Sequence, residues 1–484
     1  MTALDQRAFL QQLARRAMLA QGFEPDWPPR AEAELARLGT PPLSTLKDLR
    51  HLAWSSIDND ESRDLDQLEV CLTDGPRTRL LVAIADVDAL VPKGCALDAH
   101  ARTNTTSVYT PAEIFPMLPE VLSTDRTSLN ENSDRAAIVV DMVVEDGGTV
   151  AGAELYRALV RNRAKLTYSG VAAWLDGAAD ALPVLATEHE IADQVRLQDR
   201  IARALDARRE AEGALDFART ELRPVMDGSV VGELRTEEPN RAREIIENFM
   251  VAANGATARF LSAHGLASIR RVVRSPDRWD RIVDLATRHG CTLPAEPDAP
   301  ALEQFLKAMR GRTEPGDFAD LSLSVIKLLG RGEYVAEAAG ANDKGHFALA
   351  VSNYTHSTAP NRRFPDLVTQ RLVKAALARS APPYSLDDLT PLAAHCTKQE
   401  DGANKVERLV RKAAAALWLS GRIGEAFDAV VTGASKKGTW VRLSKPPIEG
   451  KLERGFEGRD VGDRVRVRLV HTDPEQGFID FAAV

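Results

Sequence analysis

The segment from Ser55 to Val70, SSIDNDESRDLDQLEV, crowds six acidic side chains among apolar residues. Carboxylates placed together repel one another, and burial raises the free-energy cost of each charge. Oxygen ligands clustered in this way are typical of Mg²⁺, which completes its shell with water and substrate phosphates. Asp58, Asp64 and Asp66 therefore predict a magnesium site, which could support two-metal phosphodiester hydrolysis. On spacing alone, a solvated acidic turn and a calcium loop remain the alternatives.

Composition and length are those of an ordinary globular protein. The 484 residues are 44% hydrophobic and 27% charged, which suits two to four domains. No apolar run approaches the length of a membrane span, and the N-terminal segment lacks the features of a signal peptide. The four cysteines are scattered without a CxxC pair, which suggests neither a zinc site nor a disulfide framework. We expect a cytoplasmic, reduced and monomeric protein without membrane contact.

Charge is distributed unevenly along the chain. The net charge of −8 argues weakly against a nucleic-acid partner. Between residues 405 and 470, however, 15 Lys and Arg side chains face only 8 Asp and Glu side chains. This basic region makes a polyanionic partner plausible again.

Residues 1–50 predict a small helical module. Apolar residues between positions 9 and 19 follow helical spacing, and proline pairs flank the second helix, RAEAELARL. LSTLKDLRHL is expected to form a third short helix. The module could be a helix-turn-helix, although helices that merely pack on the next domain fit the spacing at least as well.

Residues 51–421 predict strands followed by helices. RLLVAIADV and AAIVVDMVVEDGGTVAGAELYRALV are rich in β-branched residues, and DGG suits a hairpin turn. From about 168 to 420, long segments keep a helical apolar stripe. Residues 422–484 return to a period of two and predict a five-stranded barrel, a fold that commonly binds oligonucleotides. The predicted fold class is α+β.

Six ordered blocks resemble the ribonuclease II (RNB) family of 3′→5′ exoribonucleases, over about residues 51–484. The first is the acidic segment, and the others are Ala85–Asn130, AKLTYSGV, GALDF, REIIENFMVAAN and YTHSTAPNRRFPDLVTQRLVKA. The C-terminal barrel resembles an S1 RNA-binding domain. The resemblance implies an RNB catalytic domain, with a mixed sheet surrounded by helices, and an S1 barrel of the OB type. It also implies a processive, Mg²⁺-dependent exoribonuclease that hydrolyses single-stranded RNA to 5′-nucleoside monophosphates.

The resemblance assigns the acidic loop to the metal. Asp58, Asp64 and Asp66 fall on three of the four aspartates with which the family holds Mg²⁺, and Asp66 is the expected catalytic carboxylate. The fourth position is Gln67, whose amide oxygen can bind Mg²⁺ but brings no negative charge. The affinity for the metal and the number of ions are therefore open. Three nearby acidic residues could substitute for the missing charge, namely Asp60, Glu61 and Glu69.

The sequence NRR contains two arginines with different expected roles. By resemblance, Arg362 stabilises charge at the scissile phosphate, for which a permanently charged guanidinium is well suited. Arg363 is expected to contact the RNA backbone. Without the surrounding block, the pair would indicate a solvated surface turn. Thr358 and Ala359 replace the usual Thr-Ser, a change we expect to be tolerated.

Four further residues fall on RNA-binding positions of the family. Tyr109 and Phe217 resemble a base clamp, in which a ring stacks on any base without reading sequence. Tyr168 falls on a tyrosine that positions the 3′-terminal nucleotide. Glu247 falls on an acidic residue linked to ribose recognition, where a carboxylate accepting from the 2′-hydroxyl would distinguish RNA from DNA. Taken singly, each aromatic would more often be a core residue.

The barrel contributes a second set of candidates. Phe427 and Trp440 are expected to stack on RNA, while Lys436, Lys437 and Arg442 would face phosphates. For Phe427, a place in the barrel core is equally consistent with the sequence. The family commonly has two cold-shock-type barrels before the catalytic domain, whereas only about 50 helical residues precede it here. One wall of the usual RNA funnel is therefore expected to be missing or replaced.

Two rival functions remain. An RNA-binding regulator with weakened or lost hydrolysis is supported by Gln67 and opposed by the retained Asp66 and Arg362. A DNA-directed activity through the helical N-terminus is weaker.

Overall fold

The computed structural model describes residues 5–75, 77–178, 182–218, 221–237, 239–341, 345–351, 353–435 and 438–484. Its centre is a seven-stranded sheet in the order β1-β8-β7-β4-β3-β2-β9. The outer pairs β1·β8 and β2·β9 are parallel, and the pairs between them are antiparallel, so the sheet is mixed. The strands are β1 (Lys47–Asp48), β2 (Ser55–Asp58), β3 (Gln67–Asp74), β4 (Arg77–Ala85), β7 (Asp134–Glu145), β8 (Val150–Arg161) and β9 (Ala164–Thr167).

The N-terminal module has two helices, α1 (Gln6–Ala20) and α2 (Pro29–Leu35). Asp5 caps α1 by accepting the backbone N–H of Ala8 at 3.0 Å. The prediction of a third helix was wrong. That segment contains strand β1, because the backbone of Lys47–Asp48 pairs with β8 of the central sheet.

Helices cover the sheet, as predicted. The turn between β7 and β8 shows how closely the helices pack against the sheet. Gly148 in this turn has a φ of +78°, and a Cβ there would collide with the Ala204 carbonyl. The helices are α3 (Ala96–Asn104), α4 (Tyr168–Leu175), α5 (Pro183–Thr187), α6 (His189–Ala211), α7 (Arg241–Ala263), α8 (Trp279–Arg288), α9 (Ala299–Arg310), α10 (Pro315–Leu329), α11 (Phe364–Ala378) and α12 (Leu386–Leu419).

Three small two-stranded sheets interrupt the regular elements. They are β5 (Val108–Tyr109) with β6 (Ile114–Phe115), β10 (Glu221–Asp227) with β11 (Val230–Glu237), and β12 (Ser268–Val272) with β13 (Glu333–Glu337). No helix in the described part of the chain is long and apolar enough to cross a membrane.

The C-terminal strands close into a barrel in the order β14-β15-β16-β18-β17, which confirms the predicted five-stranded barrel. Its strands are β14 (Ala426–Ser435), β15 (Gly438–Leu443), β16 (Glu449–Arg454), β17 (Arg464–Asp473) and β18 (Phe478–Ala483). The barrel interior is continuous with a hydrophobic cluster formed by α1, α12 and the β10–β11 hairpin. The barrel and the N-terminal module therefore share a core, which their separation in sequence does not suggest.

Candidate active site

The acidic loop lies at one end of the central sheet. Asp58 is the last residue of β2 and Gln67 is the first of β3, so residues 59–66 form the turn between two paired strands. Asp58 is also opposite Thr167 of β9, immediately before Tyr168 begins α4. The strand ends therefore bring the loop and Tyr168 to the same edge.

Asp66 is the most enclosed aspartate of the loop, with 1% of its surface exposed. Its Oδ1 accepts the backbone N–H of Asn361 at 3.0 Å. Its Oδ2 lies 3.3 Å from Nε of Arg362 and has no hydrogen-bond partner among the described residues. Burial raises the pKa of Asp66 to about 7, against the opposing charge of Arg362. One oxygen is thus fixed by the backbone, while the other faces the Arg362 guanidinium without a hydrogen bond.

Asp64 and Tyr109 meet across the same edge. The Tyr109 hydroxyl donates to Oδ2 of Asp64 at 3.0 Å, and the Tyr109 backbone N–H donates to Glu407 of α12 at 2.9 Å. Burial and the neighbouring carboxylates raise the pKa of the Tyr109 hydroxyl, so it remains a donor. Part of the tyrosine remains open to solvent, with 39% of the residue exposed.

The candidate metal ligands do not converge on one point. Asp58 accepts the Ser62 hydroxyl at 2.8 Å and the Asn59 backbone N–H at 2.7 Å. Among the described residues, no three His, Cys, Asp or Glu side chains group closely enough to hold a metal ion. Gln67, whose amide oxygen could also bind a metal ion, is buried, with 5% of its surface exposed. The donors at this edge are all oxygens, and Oδ2 of Asp66 is among them, so their chemistry fits Mg²⁺.

The segment that contains Arg362 is tied to the residues that lead from α3 into β5. The backbone N–H of Ser107 donates to the Arg362 carbonyl at 3.0 Å, and that of Phe364 donates to the Thr105 carbonyl at 2.8 Å. Burial opposes the charge of Arg362, but Tyr109 and Asp66 raise its pKa, so it stays a cation. Its side chain is 46% exposed and can therefore reach a ligand.

Arg363 is held differently from its neighbour. It makes two hydrogen bonds to Asp366, at 2.9 and 2.7 Å, and the Asp366 side chain is fully buried. Asp366 also accepts the backbone N–H of Ala359 at 2.8 Å. Because this bond uses the backbone, alanine at position 359 is compatible with it. Contact of Arg363 with RNA stays a prediction.

Two arginines that the sequence did not identify contact the acidic loop. Arg223 of β10 forms an ion pair with Glu61, and Arg243 of α7 donates to the Asn59 side chain at 3.0 Å. The Arg243 guanidinium also lies 4.8 Å from the centre of the Tyr168 ring. No local spacing could have identified these residues, because they lie far from the loop in the sequence.

A cavity of about 660 Å³ opens beside the loop. Asp58, Asp64, Tyr109 and Arg362 line it, and the N-terminal helix and the β10–β11 hairpin contribute to its wall. Arg7 joins these two elements by donating to the Gly228 carbonyl at 2.9 Å. Besides Arg362, four arginines line the cavity, namely Arg7, Arg223, Arg235 and Arg411.

Phe217 and Glu247 do not line this cavity. Phe217 packs partly buried against the hydrophobic cluster of α8, α9 and α10. Glu247 is exposed on α7, with Oε1 3.9 Å from Nη2 of Arg209. Their assignment to RNA binding stays a prediction.

The structure corrects two expectations for the barrel. Phe427 is 9% exposed and belongs to the barrel core, because β14 turns it inward, so it cannot stack on RNA. Arg442 does not face phosphates, because it forms an ion pair with Asp320 of α10 and only 15% of its side chain is exposed. Trp440 is half-buried, and Lys436 and Lys437 lie outside the described residues. Sequence reasoning missed two exposed rings, Phe456 and Phe478.

Glu69 is a further residue of the acidic segment with an unusual environment. It is fully buried on β3, and neither carboxyl oxygen has a hydrogen-bond partner among the described residues. Burial raises its pKa well above the ordinary value, and the charge of Asp58 raises it further. Asp60, by contrast, accepts the Ser169 hydroxyl at 3.2 Å.

Comparison with protein-family models shows to which family the chain belongs. The RNB domain model matches residues 46–379, which contain the acidic loop, Tyr109 and Arg362. The chain belongs to the RNB family. A second model, the RNase II-type exonuclease C-terminal S1 domain, matches residues 425–484 and thus the closed barrel.

Curated RNB-family relatives are longer than this chain. Ribonuclease R 1 of Lactococcus lactis is 29% identical over 466 residues, which cover 90% of this chain and 56% of the relative. Ribonuclease R of Escherichia coli is 28% identical over 498 residues, which cover 95% of this chain and 60% of the relative. The chain thus spans less than two thirds of the length of these relatives.

Solved structures show the same fold. Mycoplasma genitalium RNase R in complex with ribose-methylated single-stranded RNA has a TM-score of 0.88 at 21% identity, covering 98% of this chain and 78% of that one. Yeast Ssd1, a pseudonuclease, has a TM-score of 0.67 at 16% identity, covering 91% of this chain and 54% of that one.

Proposed function

We propose that this RNB-family chain is a processive 3′→5′ exoribonuclease that hydrolyses single-stranded RNA to 5′-nucleoside monophosphates with Mg²⁺. The observation that carries the proposal is Asp66, whose Oδ1 is oriented by the backbone of Asn361 while its buried Oδ2 faces Arg362 in an ion pair without a hydrogen bond among the described residues. A buried acceptor without a donor destabilises a protein unless a ligand compensates it. Relatives named ribonuclease R, and an RNase R structure that contains single-stranded RNA, support the choice of substrate.

In the proposed reaction, Asp58, Asp64, Asp66 and the amide oxygen of Gln67 would hold Mg²⁺, which requires the three carboxylates to come closer together than they lie without the ion. The ion would ready a water molecule for attack and stabilise the leaving oxygen. The protein's own part is to keep carboxylate oxygens free at the edge of the sheet. The Tyr109 hydroxyl fixes one oxygen of Asp64, and the Asn361 backbone fixes one oxygen of Asp66, whose other oxygen faces Arg362.

Arg362 has the exposure and the charge to contact the scissile phosphate. Its ion pair with Asp66 holds the guanidinium beside the metal ligands, where negative charge develops in the transition state. Charge stabilisation by a group already in place is effective because no reorganisation accompanies the reaction.

The proposed RNA path runs through the arginine-lined cavity. Phosphates would be attracted by its arginines, and Tyr109 would stack on a base near the 3′ end. Tyr168, Phe217, Glu247, Arg363 and Trp440 remain further proposed RNA contacts. The N-terminal helix and the β10–β11 hairpin would supply one wall of that path.

The second candidate function is an RNA-binding regulator with weakened or lost hydrolysis. Gln67 favours it, and so does the shared fold with Ssd1, a pseudonuclease. The ion pair of the buried Asp66 with the partly exposed Arg362 favours the enzyme, because it holds a carboxylate and a guanidinium side by side at the edge where a metal ion and a phosphate would be bound.

Incubation of uniformly labelled poly(A) with the full chain and Mg²⁺ tests the proposal. The expected products are 5′-mononucleotides, formed without a pool of intermediate lengths and abolished by EDTA. Tight RNA binding without products would establish the regulator instead. Asp66→Asn serves as the matched control, because it keeps the shape of the site and removes a ligand charge.

A further inference from the structure

A second cavity, of about 390 Å³, lies beside the turn between β7 and β8. The acidic loop is at the other end of these strands. Ala85 donates its backbone N–H to the Asp66 carbonyl at 3.0 Å and pairs with Ala137 near the start of β7, whereas the turn follows the end of β7. Helices α6 and α7 form much of the wall, and the volume suits a small-molecule site.

Two residues that line this cavity have a buried polar atom without a hydrogen-bond partner among the described residues. Asn248 is 2% exposed, and its Nδ2 donates to the Glu244 carbonyl at 2.9 Å, but its Oδ1 is unpaired. Nε of Arg209 is also unpaired, although Nη2 of the same side chain lies 3.1 Å from Asp206. Buried polar groups are nearly always paired, so an acceptor and a donor left open in one cavity indicate a ligand.

Positive charge predominates among the described residues that line this cavity. They include Arg208, Arg209 and Arg259, and the acidic Glu212, which lies 2.7 Å from Arg208. Among the described residues, no charged neighbour acts on Arg259. Its Nη1 lies over α7, only 3.2 Å from the place that a Cβ on Gly255 would take, so glycine leaves room for the guanidinium. A guanidinium with open donors is well suited to bind phosphate.

The rest of the wall is largely aliphatic, with Leu205 of α6, Val251 of α7 and Val351 among its residues. A ligand that matches the whole cavity therefore has an anionic group, an apolar face and a hydrogen-bond donor for Asn248. A phosphate ion alone would leave the aliphatic wall without a partner. A nucleoside 5′-monophosphate has all three features, in its phosphate, its base and its ribose hydroxyls.

We propose that this cavity binds a nucleoside 5′-monophosphate, with the phosphate on Arg209 and Arg259 and a donor of the nucleoside on Asn248. This inference rests on the proposed function, since nucleoside 5′-monophosphates are the products of that reaction. The described residues that line this cavity differ from those that line the cavity beside the acidic loop. A product bound here therefore leaves the catalytic cavity open.

Isothermal titration calorimetry of the full chain in EDTA tests the proposal with 5′-AMP, adenosine and inorganic phosphate. EDTA removes metal ions through which a nucleotide would be held at the acidic edge. 5′-AMP should bind at least about 10-fold more tightly than the other two probes, because it alone engages both the arginines and Asn248. Phosphate binding as tightly as 5′-AMP would reveal a site for simple anions, and adenosine doing so would show that the arginines hold no phosphate. Either result, or no binding of 5′-AMP, would overturn the inference.

Two variants locate the bound nucleotide in this cavity. Arg259→Gln should weaken binding of 5′-AMP about 10-fold or more, since it removes a charged donor. Asn248→Leu has a similar volume without the acceptor, and should weaken binding of 5′-AMP but not of phosphate. Arg281→Gln is the matched control, because Arg281 is an exposed arginine of α8 outside the cavity. Melting temperatures verify folding, and if Asn248→Leu does not fold, Arg259→Gln decides. Unchanged 5′-AMP affinity of Arg259→Gln would overturn the inference.

Arg362→Ala distinguishes this cavity from the acidic edge, where Arg362 lies. The variant should keep its affinity for 5′-AMP in EDTA. Affinity lost in Arg362→Ala but kept in Arg259→Gln would place the nucleotide at the acidic edge and overturn the inference. A chain that binds 5′-AMP in this cavity but forms no mononucleotides from poly(A) would refute the proposed function alone. A chain that degrades poly(A) but does not bind 5′-AMP here would refute this inference alone.

Discussion

The acidic edge of the central sheet and the C-terminal barrel treat their polar groups in opposite ways. At the edge, Glu69 is buried and neither of its carboxyl oxygens has a hydrogen-bond partner among the described residues, while the buried Oδ2 of Asp66 has only its ion pair with Arg362. In the barrel, Arg466 pairs with Asp428 at an exposed position, where 60% and 75% of the two side chains are open to solvent. Unpaired buried groups identify where a ligand is expected, whereas paired ones contribute to folding and to the general electrostatic field.

The largest expected effect tests the acidic edge. Asp66→Asn should reduce hydrolysis of poly(A) about 1,000-fold, because it removes metal-binding charge. RNA affinity, measured by filter binding, should change little, since the cavity keeps its shape. Asp428→Asn, which removes an exposed carboxylate of the barrel, is the matched control and should keep its turnover. Near-native turnover of Asp66→Asn would contradict the metal-site assignment.

A second test compares two adjacent residues: Arg362, which faces the acidic edge, and Arg363, which pairs with the buried Asp366. Arg362→Ala should lower kcat about 100-fold or more with little change in melting temperature, because its side chain is 46% exposed. Arg363→Ala should instead destabilise the fold by about 3 kcal/mol, because it leaves the buried Asp366 without its partner. Thermal unfolding and single-turnover kinetics on both variants separate the two effects. If both variants lose similar amounts of rate and of melting temperature, the two arginines do not have the separate roles assigned to them.

The barrel is expected to act through its charge. Deleting it would uncover the core that it shares with α1 and α12, so substitutions are the better test. Arg466→Gln combined with Arg468→Gln should weaken RNA binding and reduce its salt slope by up to about 0.7 per lost phosphate contact. Cleavage of short oligomers bound mainly in the cavity should persist. An unchanged slope across a salt series would remove the barrel from the RNA path.

A smaller effect is expected at Gln67. Gln67→Asp should lower the Mg²⁺ concentration for half-maximal rate by about 3-fold, because another anion strengthens a site for a hard cation. Titration of Mg²⁺ at saturating RNA measures it, and unchanged RNA affinity is the control. A raised Mg²⁺ requirement would show that Gln67 does not contact the ion.

The smallest expected effect concerns Glu303, a buried carboxyl group that accepts a hydrogen bond. Glu303 accepts the backbone N–H of Asp216 at 2.9 Å, and burial raises its pKa to about 7. Its protonated form is therefore favoured in the folded state, and its contribution to stability is lost as pH rises from about 4.5 to 7. Glu303→Gln should flatten the fall in melting temperature over that window. An identical pH profile for the variant would exclude this contribution.

Local sequence was sufficient for the elements that short-range spacing defines. Alternating apolar residues predicted the closed barrel, and the DGG turn predicted the hairpin between β7 and β8. One local prediction failed at Lys47–Asp48, where pairing with β8 overrode helical spacing. Backbone pairing between distant strands depends on tertiary contacts, which local propensity does not contain.

By itself, the sequence determined the family, the order of the blocks and the residue types of the acidic loop. Only the tertiary structure decided that Arg363 is held by the buried Asp366, and that Phe427 points into the barrel. It also brought Arg223 and Arg243 to the loop and left the Glu69 carboxyl buried without a donor among the described residues. The reason is that spacing fixes which residues are near neighbours in the chain. Burial and pairing depend on elements that come together only when the sheet, its helices and the barrel pack.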